Sequence, residues 1–118
     1  MKGLWKDVVY SGTANNNTTY GSVVDTSRST GETAFQVVTA AGNIAVSQQY
    51  SMDGIHFYDS IDGSDNALGT INASLTVGTY YIVPATVVAP YSRLKVIENG
   101  TASTVVKITM IFQEEQGI

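Results

Sequence analysis

Residues 33–61, TAFQVVTAAGNIAVSQQYSMDGIHFYDSI, decide the fold that this sequence predicts. Two tight-turn signals, Gly42-Asn43 and Asp53-Gly54, divide the stretch into three antiparallel strands. With both turns two residues long, the large apolar side chains share one face. These are Phe35, Val37, Ile44, Val46, Tyr50, Met52, Ile55, Phe57 and Ile61. Because a slip of one residue would turn Ile55, Phe57 and Ile61 outward, the agreement between the two turns favours this meander.

A second hairpin, around Asn99-Gly100, is expected to supply the apolar surface against which the meander packs. A two-residue turn would place Leu94 and Val96 on the opposite face from the apolar residues that follow the turn. A three-residue loop of residues 98–100, with Gly100 left-handed, instead brings six apolar side chains onto one face. These six are Leu94, Val96, Val106, Ile108, Met110 and Phe112. The outer face would then carry Arg93, Lys95, Ser103, Lys107 and Thr109.

The rest of the chain has the same strand character. Runs of Val, Ile, Thr and Tyr recur between turn residues, and no stretch has a helical period. We predict one all-β domain over residues 1–118, an antiparallel β-sandwich of jelly-roll type with about eight short strands, or a squashed barrel. Residues 11–19 are expected to form a polar, Asn-rich loop. The N-terminal segment 1–19 and the tail 114–118 are expected to be mobile.

The weak charge of the chain excludes several classes of function. Charged residues make up 14% of the sequence and the net charge is -4, which argues against nucleic acid as a partner because phosphate binding needs a positive field. The absence of cysteine excludes a disulfide scaffold and a thiolate metal site. The N-terminal sequence MKGLWKDVVY lacks the apolar run of a signal peptide, and no window approaches the roughly 20 apolar residues of a membrane helix. We expect no export signal and no membrane partner.

The residues that could carry chemistry are few. His56 is the single histidine, is expected to point away from the core, and has no nucleophile-elbow sequence to work with, so we expect no catalytic residues and no cofactor. Asp59, Asp62 and Asp65 form an oxygen-rich stretch that could begin a calcium site. Acidic turns are also common for conformational reasons alone, and that explanation is favoured here.

Partner contacts are the more promising function. Seven tyrosines could stack on sugars, although tyrosine is also simply favoured in strands. The three cations on the outer face of the second hairpin could dock an acidic partner or could be a solvated face. The candidate contact residues are Trp5, Asn15, Asn16, Asn17, Arg93, Lys95 and Lys107.

Two segments carry a resemblance to a known group of proteins. Residues 51–59, SMDGIHFYD, and residues 89–96, APYSRLKV, resemble small β-sandwich virion proteins of tailed bacteriophages, in which a Ser-x-Asp-Gly turn is paired with a later Ala-Pro-Tyr-x-Arg strand. The likeness spans residues 35–112. It implies a capsid decoration, auxiliary or tail-associated role, often as a symmetric oligomer, and it brings no catalytic residues with it.

The resulting expectation is a non-enzymatic structural protein of a phage virion. As a capsid decoration or auxiliary protein it would bind the major capsid protein or other virion proteins, as a homo-oligomer with a trimer favoured, and would stabilise the shell. It would be located in the virion, which is assembled in the host cytoplasm. The alternative is a carbohydrate-binding or adhesin module, possibly on a tail, built on tyrosine and asparagine side chains around a calcium loop.

Overall fold

The computed structural model describes residues 2–15, 17–61, 63–64, 70–84, 89–99 and 104–115. Within them, ten strands pair in antiparallel fashion. They are β1 (Lys2–Ala14), β2 (Thr18–Tyr20), β3 (Val24–Asp25), β4 (Ser29–Thr39), β5 (Ile44–Ser51), β6 (Tyr58–Asp59), β7 (Thr70–Leu75), β8 (Gly78–Ile82), β9 (Tyr91–Glu98) and β10 (Thr104–Glu115). No helix of a length and hydropathy suited to crossing a membrane occurs in the described residues.

The strands form two sheets with jelly-roll topology. Sheet 1 has the order β1-β10-β4-β8, and sheet 2 has the order β2-β9-β5-β6, with β3 also beside β9 and β7 also beside β5. The first strand pairs with the last, β2 and β3 with β9, β4 with β8, and β5 with β7, so the chain is one long hairpin rolled into two layers. The predicted all-β, jelly-roll-like sandwich is confirmed.

The core lies between the two sheets and is built from alternate residues of the long strands. Burial alternates at every position along β9, as expected for a strand with one face against the core. Side chains with at most 1% of their surface exposed include Phe35, Val37, Ile44, Val46, Val96, Val106, Ile108 and Met110. Each such burial stabilises the fold by roughly 1.5–3 kcal/mol relative to an exposed side chain. The ring of Trp5 stacks on Phe112 at the margin of this core, with centroids 4.9 Å apart.

The hairpin predicted around Gly42-Asn43 is wrong. β4 belongs to sheet 1 and β5 to sheet 2, so the chain crosses between the layers there. Phe35 pairs with Met110 and Ile82, while Val46 pairs with Val96. The inward side chains of both strands do face the core, but from opposite sheets. Alternation identifies which side chains are buried and does not identify the neighbouring strand.

The predicted register at Asp53-Gly54 is wrong by one residue. The register has Tyr50 opposite Tyr58 instead of Phe57. Met52, Ile55 and Ile61 consequently point outward, with 84%, 75% and 57% of their surface exposed. The connection is wider than a two-residue turn because side chains within it bond its backbone, as described below.

The second predicted hairpin is also wrong, because β9 and β10 lie in different sheets. The expectation that its six apolar side chains face the core is confirmed, and all of them are at most 3% exposed. Its outer face is divided: Arg93 and Lys95 lie on sheet 2, and Lys107 and Thr109 lie on sheet 1. Gly100 and Ser103 are outside the described residues.

The N-terminal segment contains more strand than expected. A polar loop was expected at residues 11–19, but β1 continues in register with β10 to Ala14, opposite Thr104, and β2 begins at Thr18. The polar residues Ser11 and Thr13 alternate with Gly12 and Ala14, so the strand keeps its period with little apolar character. The mobility expected for residues 1–19 and 114–118 stays a prediction.

We expect Gly42→Ala to lower the free energy of unfolding by about 1–2 kcal/mol, measured by urea denaturation. Gly42 has a φ of 81°, where an L side chain is strained, and an added Cβ would lie 3.3 Å from Cγ2 of Thr104. Gly63→Ala is the control, since no atom of the described residues, apart from the chain neighbours of Gly63, lies within 4 Å of a Cβ placed there. Equal losses in the two variants would contradict the assignment of Gly42 as the residue that permits the crossover.

Candidate functional site

The three cations that were expected to form one docking face do not lie together. Arg93 and Lys95 are on the outer face of sheet 2, and Lys107 is on the outer face of sheet 1, across the core. The single basic face is therefore wrong. It was derived from a hairpin pairing of β9 with β10 that the fold does not contain.

Arg93 is held within the outer face of sheet 2. Its guanidinium carbon lies 4.0 Å from the centroid of the Tyr20 ring and 4.6 Å from that of Phe57, and its Nε donates to Gln49 Oε1 at 2.9 Å. Contacts with two aromatic rings satisfy the cation through their quadrupoles. The residue joins three strands or loops of the sheet, so it has a structural role whether or not a partner contacts it.

Lys95 and Asp59 extend this network. Lys95 Nζ lies 3.6 Å from Asp59 Oδ2, and Gln49 Nε2 donates to Asp59 Oδ1 at 3.1 Å. Gln49 is only 7% exposed although it lies on an outer face, because the network covers it. Asp59 is thus engaged by a lysine and an amide. Because both of its carboxylate oxygens already have partners, Asp59 is poorly placed to bind a cation.

No metal site takes shape in the part of the chain that the structure describes. No group of three or more His, Cys, Asp or Glu side chains there is placed to hold a metal ion. Asp62 and Asp65, the other two members of the expected calcium loop, lie outside the described residues. The calcium interpretation therefore stays a prediction.

The remaining candidate contact residues are scattered. Trp5 is partly buried against the core through its stack on Phe112. The backbone carbonyl of Asn17 accepts from the amide of Glu98 at 3.2 Å, and the side chain of Asn17 accepts from the amide of Asn15 at 3.0 Å. Asn16 lies outside the described residues. The partner role of this set stays a prediction.

The outer face of sheet 1 is the larger surface, and it is defined here by the outward residues of β1, β10, β4 and β8. Large apolar side chains are exposed on it, and they include Leu4, Val8, Val38, Tyr81 and Val105. Lys6 and Lys107 supply charge in its middle. Its four strands have 13, 12, 11 and 5 residues, and at about 3.3 Å per residue and about 4.8 Å per strand they cover about 650 Å². That area is comparable to one side of a standard protein interface.

The loop from Ser51 to His56 is held by hydrogen bonds between its side chains and its backbone. Asp53 Oδ1 accepts from the amides of Ile55 at 2.8 Å and His56 at 2.9 Å, and from the Ser51 hydroxyl at 2.9 Å. The Ser51 hydroxyl in turn accepts from the amide of Gly54 at 2.8 Å. Gly54 has a φ of 77° and packs on the ring of Tyr91, at 3.5 Å from an added Cβ. These bonds set the loop and shift the strand register.

His56 lies on the surface, as predicted, and is bonded to this loop. Its Nδ1 lies 2.7 Å from Asp53 Oδ2. The hydrogen bond from the His56 side chain, followed by those from the loop amides and Ser51, holds the pKa of Asp53 well below its usual range.

A groove opens beside the loop, where strand β5 ends. Its volume is about 320 Å³, and Tyr50, Met52, His56, Tyr58 and Ser60 are among the residues that line it. Burial raises the pKa of Tyr50 to about 12. Sequence reasoning missed this groove because it depends on the one-residue register shift. The available signal was the Ser51 and Asp53 pair, since both residue types bond the backbone of loops.

A second cleft, of about 420 Å³, lies between β1 and β2 and includes Tyr10, Thr13 and Thr19 in its lining. The Tyr10 and Thr19 hydroxyls are 2.5 Å apart. The amide of Ser22 donates to the carbonyl of Val9 at 2.9 Å, and an added Cβ on Gly21 would overlap that carbonyl. These contacts close the corner between the two sheets.

Comparison with known proteins shows a shared fold without a family. No family model matches the chain, and no curated protein matches it. A solved structure described as "Bacillus endospore appendages form a novel family of disulfide-linked pili" has 15% identity and a TM-score of 0.55, over 99% of this chain and 92% of that one. A second, "Crystal structure of PirA", has 13% identity and a TM-score of 0.43, over 96% and 93% of the two chains. The first supports the sandwich fold.

We expect Arg93→Ala to lower the free energy of unfolding by about 1–2 kcal/mol, because it removes two cation–ring contacts and the hydrogen bond to Gln49. Arg93→Lys should recover only part of the loss, since lysine lacks the planar group that stacks on rings. Lys107→Ala, at an exposed position on sheet 1, is the control and should change stability by less than about 0.5 kcal/mol. A loss at Arg93 no larger than that at Lys107 would overturn the structural role.

We expect Asp53→Asn to destabilise the protein in a pH-dependent way. Because the folded pKa of Asp53 is lowered from 3.8, its carboxylate stabilises the fold above that pH, and the contribution disappears as the pH falls through the lower, folded value. Urea midpoints of the two proteins should differ at pH 5 and converge toward pH 2. A difference that stays constant over this range would contradict the assignment.

Proposed function

We propose that this protein is a non-enzymatic structural subunit that docks onto other protein subunits through the outer face of sheet 1. The observation that carries the proposal is the combination of extent and composition on that face. It offers about 650 Å² on four paired strands, and large apolar side chains such as Leu4, Val38 and Tyr81 lie exposed on it.

The physical cost of covering this face is low. Moving its apolar side chains out of water is favourable because of the hydrophobic effect. Valine and threonine, whose χ1 angles are already restricted, lose little conformational entropy when they are buried. Lys6 and Lys107 are long side chains that can lie along an interface while their amines stay hydrated. A rigid sheet face with few charges is therefore suited to a permanent contact between subunits.

In its finer form, the proposal is a capsid decoration or auxiliary protein of a tailed-phage virion, bound to the major capsid protein as a homo-oligomer, with a trimer favoured. The two segments that carry the resemblance support it, because they form one unit in the fold. Ser51 pairs with Tyr91, Gly54 packs on the Tyr91 ring, and Phe57 lies against Arg93.

The similarity to a subunit of endospore appendages supports the broader form of the proposal. Those appendages are described as disulfide-linked pili, so a sandwich of this fold is compatible with polymeric assembly. The sequence here contains no cysteine. Assembly of this chain would accordingly depend on non-covalent contacts, which gives the sheet 1 face more importance.

The experiment compares the oligomeric state of three proteins by native mass spectrometry and sedimentation. We expect the wild type to form species larger than the 12.6 kDa monomer, and Val38→Lys combined with Tyr81→Lys to shift the population to monomer. The control, Val23→Lys combined with Val77→Lys, adds the same charge at exposed loop positions and should behave as the wild type.

The finer form is tested by adding the same proteins to phage shells that lack the subunit. We expect the wild type and the control to cosediment with shells and to raise their melting temperature, and the sheet 1 variant to do neither. A wild type that is monomeric at all concentrations and does not bind shells would overturn the proposal. If the protein assembles but does not bind shells, the role as a structural subunit is retained and the role as a capsid decoration or auxiliary protein is overturned.

A further inference from the structure

The groove beside the Asp53 loop is flanked by apolar side chains that the fold leaves in water. Met52, Ile55 and Tyr58 are all exposed within seven residues of one another. They belong to a loop and a short strand of sheet 2, and none of them is part of the sheet 1 docking face. A cluster of exposed large apolar side chains around a concave surface is the usual mark of a binding site.

Two tyrosine rings stand side by side at this groove. Tyr50 on β5 is opposite Tyr58 on β6, and directly paired residues of antiparallel strands project from the same side of the sheet. The Tyr50 hydroxyl donates to Gln48 Oε1 at 3.1 Å. This bond fixes the orientation of the Tyr50 ring, which forms one wall of the groove. Tyr58, with two thirds of its surface exposed, has a ring that is available for stacking.

The polar groups at the groove are held in place before any ligand arrives. With Nδ1 of His56 donating to the Asp53 carboxylate, the neutral ring has its lone pair on Nε2 and can accept a hydrogen bond there. The Asp53 side chain is itself fixed by two backbone amides and the Ser51 hydroxyl. Ser60 adds a further hydroxyl to the lining.

We propose that this groove binds a neutral saccharide of one or two rings, stacked on Tyr58 and hydrogen-bonded to His56 and Ser60. The apolar face of a pyranose matches an exposed aromatic ring, and its hydroxyls match a lone pair and a serine hydroxyl. The Asp53 carboxylate beside the groove disfavours an acidic sugar by charge repulsion. At about 320 Å³ the groove is at the small end of the range for ligand sites.

A saccharide is favoured over an apolar peptide segment because of these polar groups. An apolar segment would remove His56 Nε2 and the Ser60 hydroxyl from water without giving them partners, which weakens its binding. A sugar satisfies both. Neutral sugar binding would add a recognition role to the structural role proposed above, and it does not depend on that role.

The test begins with titration of the full-length, 15N-labelled protein with neutral mono- and disaccharides, followed by NMR. We expect saturable shifts of the amides of residues 51–60 for at least one neutral sugar, unchanged by a chelator, and no shifts there for sialic or uronic acids. Tyr58→Ala should weaken binding at least about tenfold, whereas Tyr58→Phe, which keeps the ring, should preserve it. Val23→Ala, at an exposed loop position, is the control and should bind as the wild type.

Because Tyr58 is exposed, we expect the alanine variant to keep the fold, and its amide spectrum verifies this in the same experiment. No shifts with any neutral sugar at millimolar concentrations would overturn the proposal. So would binding that requires calcium, binding of acidic sugars alone, or capture of an apolar peptide at this groove in place of sugars. Protein that binds a neutral sugar but neither oligomerises nor binds shells would overturn only the structural role.

Discussion

The pairing of β10 with β1 on one side and β4 on the other is the constraint on which the rest of the structure depends. It runs from Thr104 to Glu115 on the β1 side and brings the last strand of the chain to the middle of sheet 1. Since side chains alternate along a strand, even-numbered residues from Val106 to Phe112 enter the core and odd-numbered ones are placed on the outer face. The same pairing thus builds both the core and the proposed docking face.

The sequence predicted burial well along the long strands and predicted the pairing of those strands poorly. Leu94, Val96 and Phe35 were each expected to face the core, and each does. Their strand partners were misassigned because Gly42-Asn43 and Asn99-Gly100 have the composition of hairpin turns but connect strands in different sheets. A chain that changes sheets keeps its alternation, so local pattern cannot distinguish this connection from a hairpin. The partner becomes evident only when all strands are placed together.

The candidate site was less predictable than the fold, for a related reason. Arg93 and Lys107 were joined by a pairing that does not exist, and the contacts of Arg93 with Tyr20 and Phe57 depend on residues distant in the sequence. The groove depends on a register shift that two short side chains, Ser51 and Asp53, impose through bonds to the loop backbone. Such bonds compete with regular pairing, and their outcome is set by geometry that composition does not contain. His56 was expected on the surface and lies there, but it belongs to the loop between β5 and β6, so the strand alternation behind that expectation is not the reason for its exposure.

The central claim of this account is that the outer face of sheet 1 is covered in the assembled protein. Mass-spectrometric footprinting with hydroxyl radicals tests it directly, because Leu4 and Tyr81 are exposed on that face and Tyr20 is exposed on the other sheet. Compared with dissociated protein, the assembly should show reduced oxidation of Leu4 and Tyr81 and unchanged oxidation of Tyr20. Equal oxidation of Leu4 and Tyr81 in the two states would contradict the account.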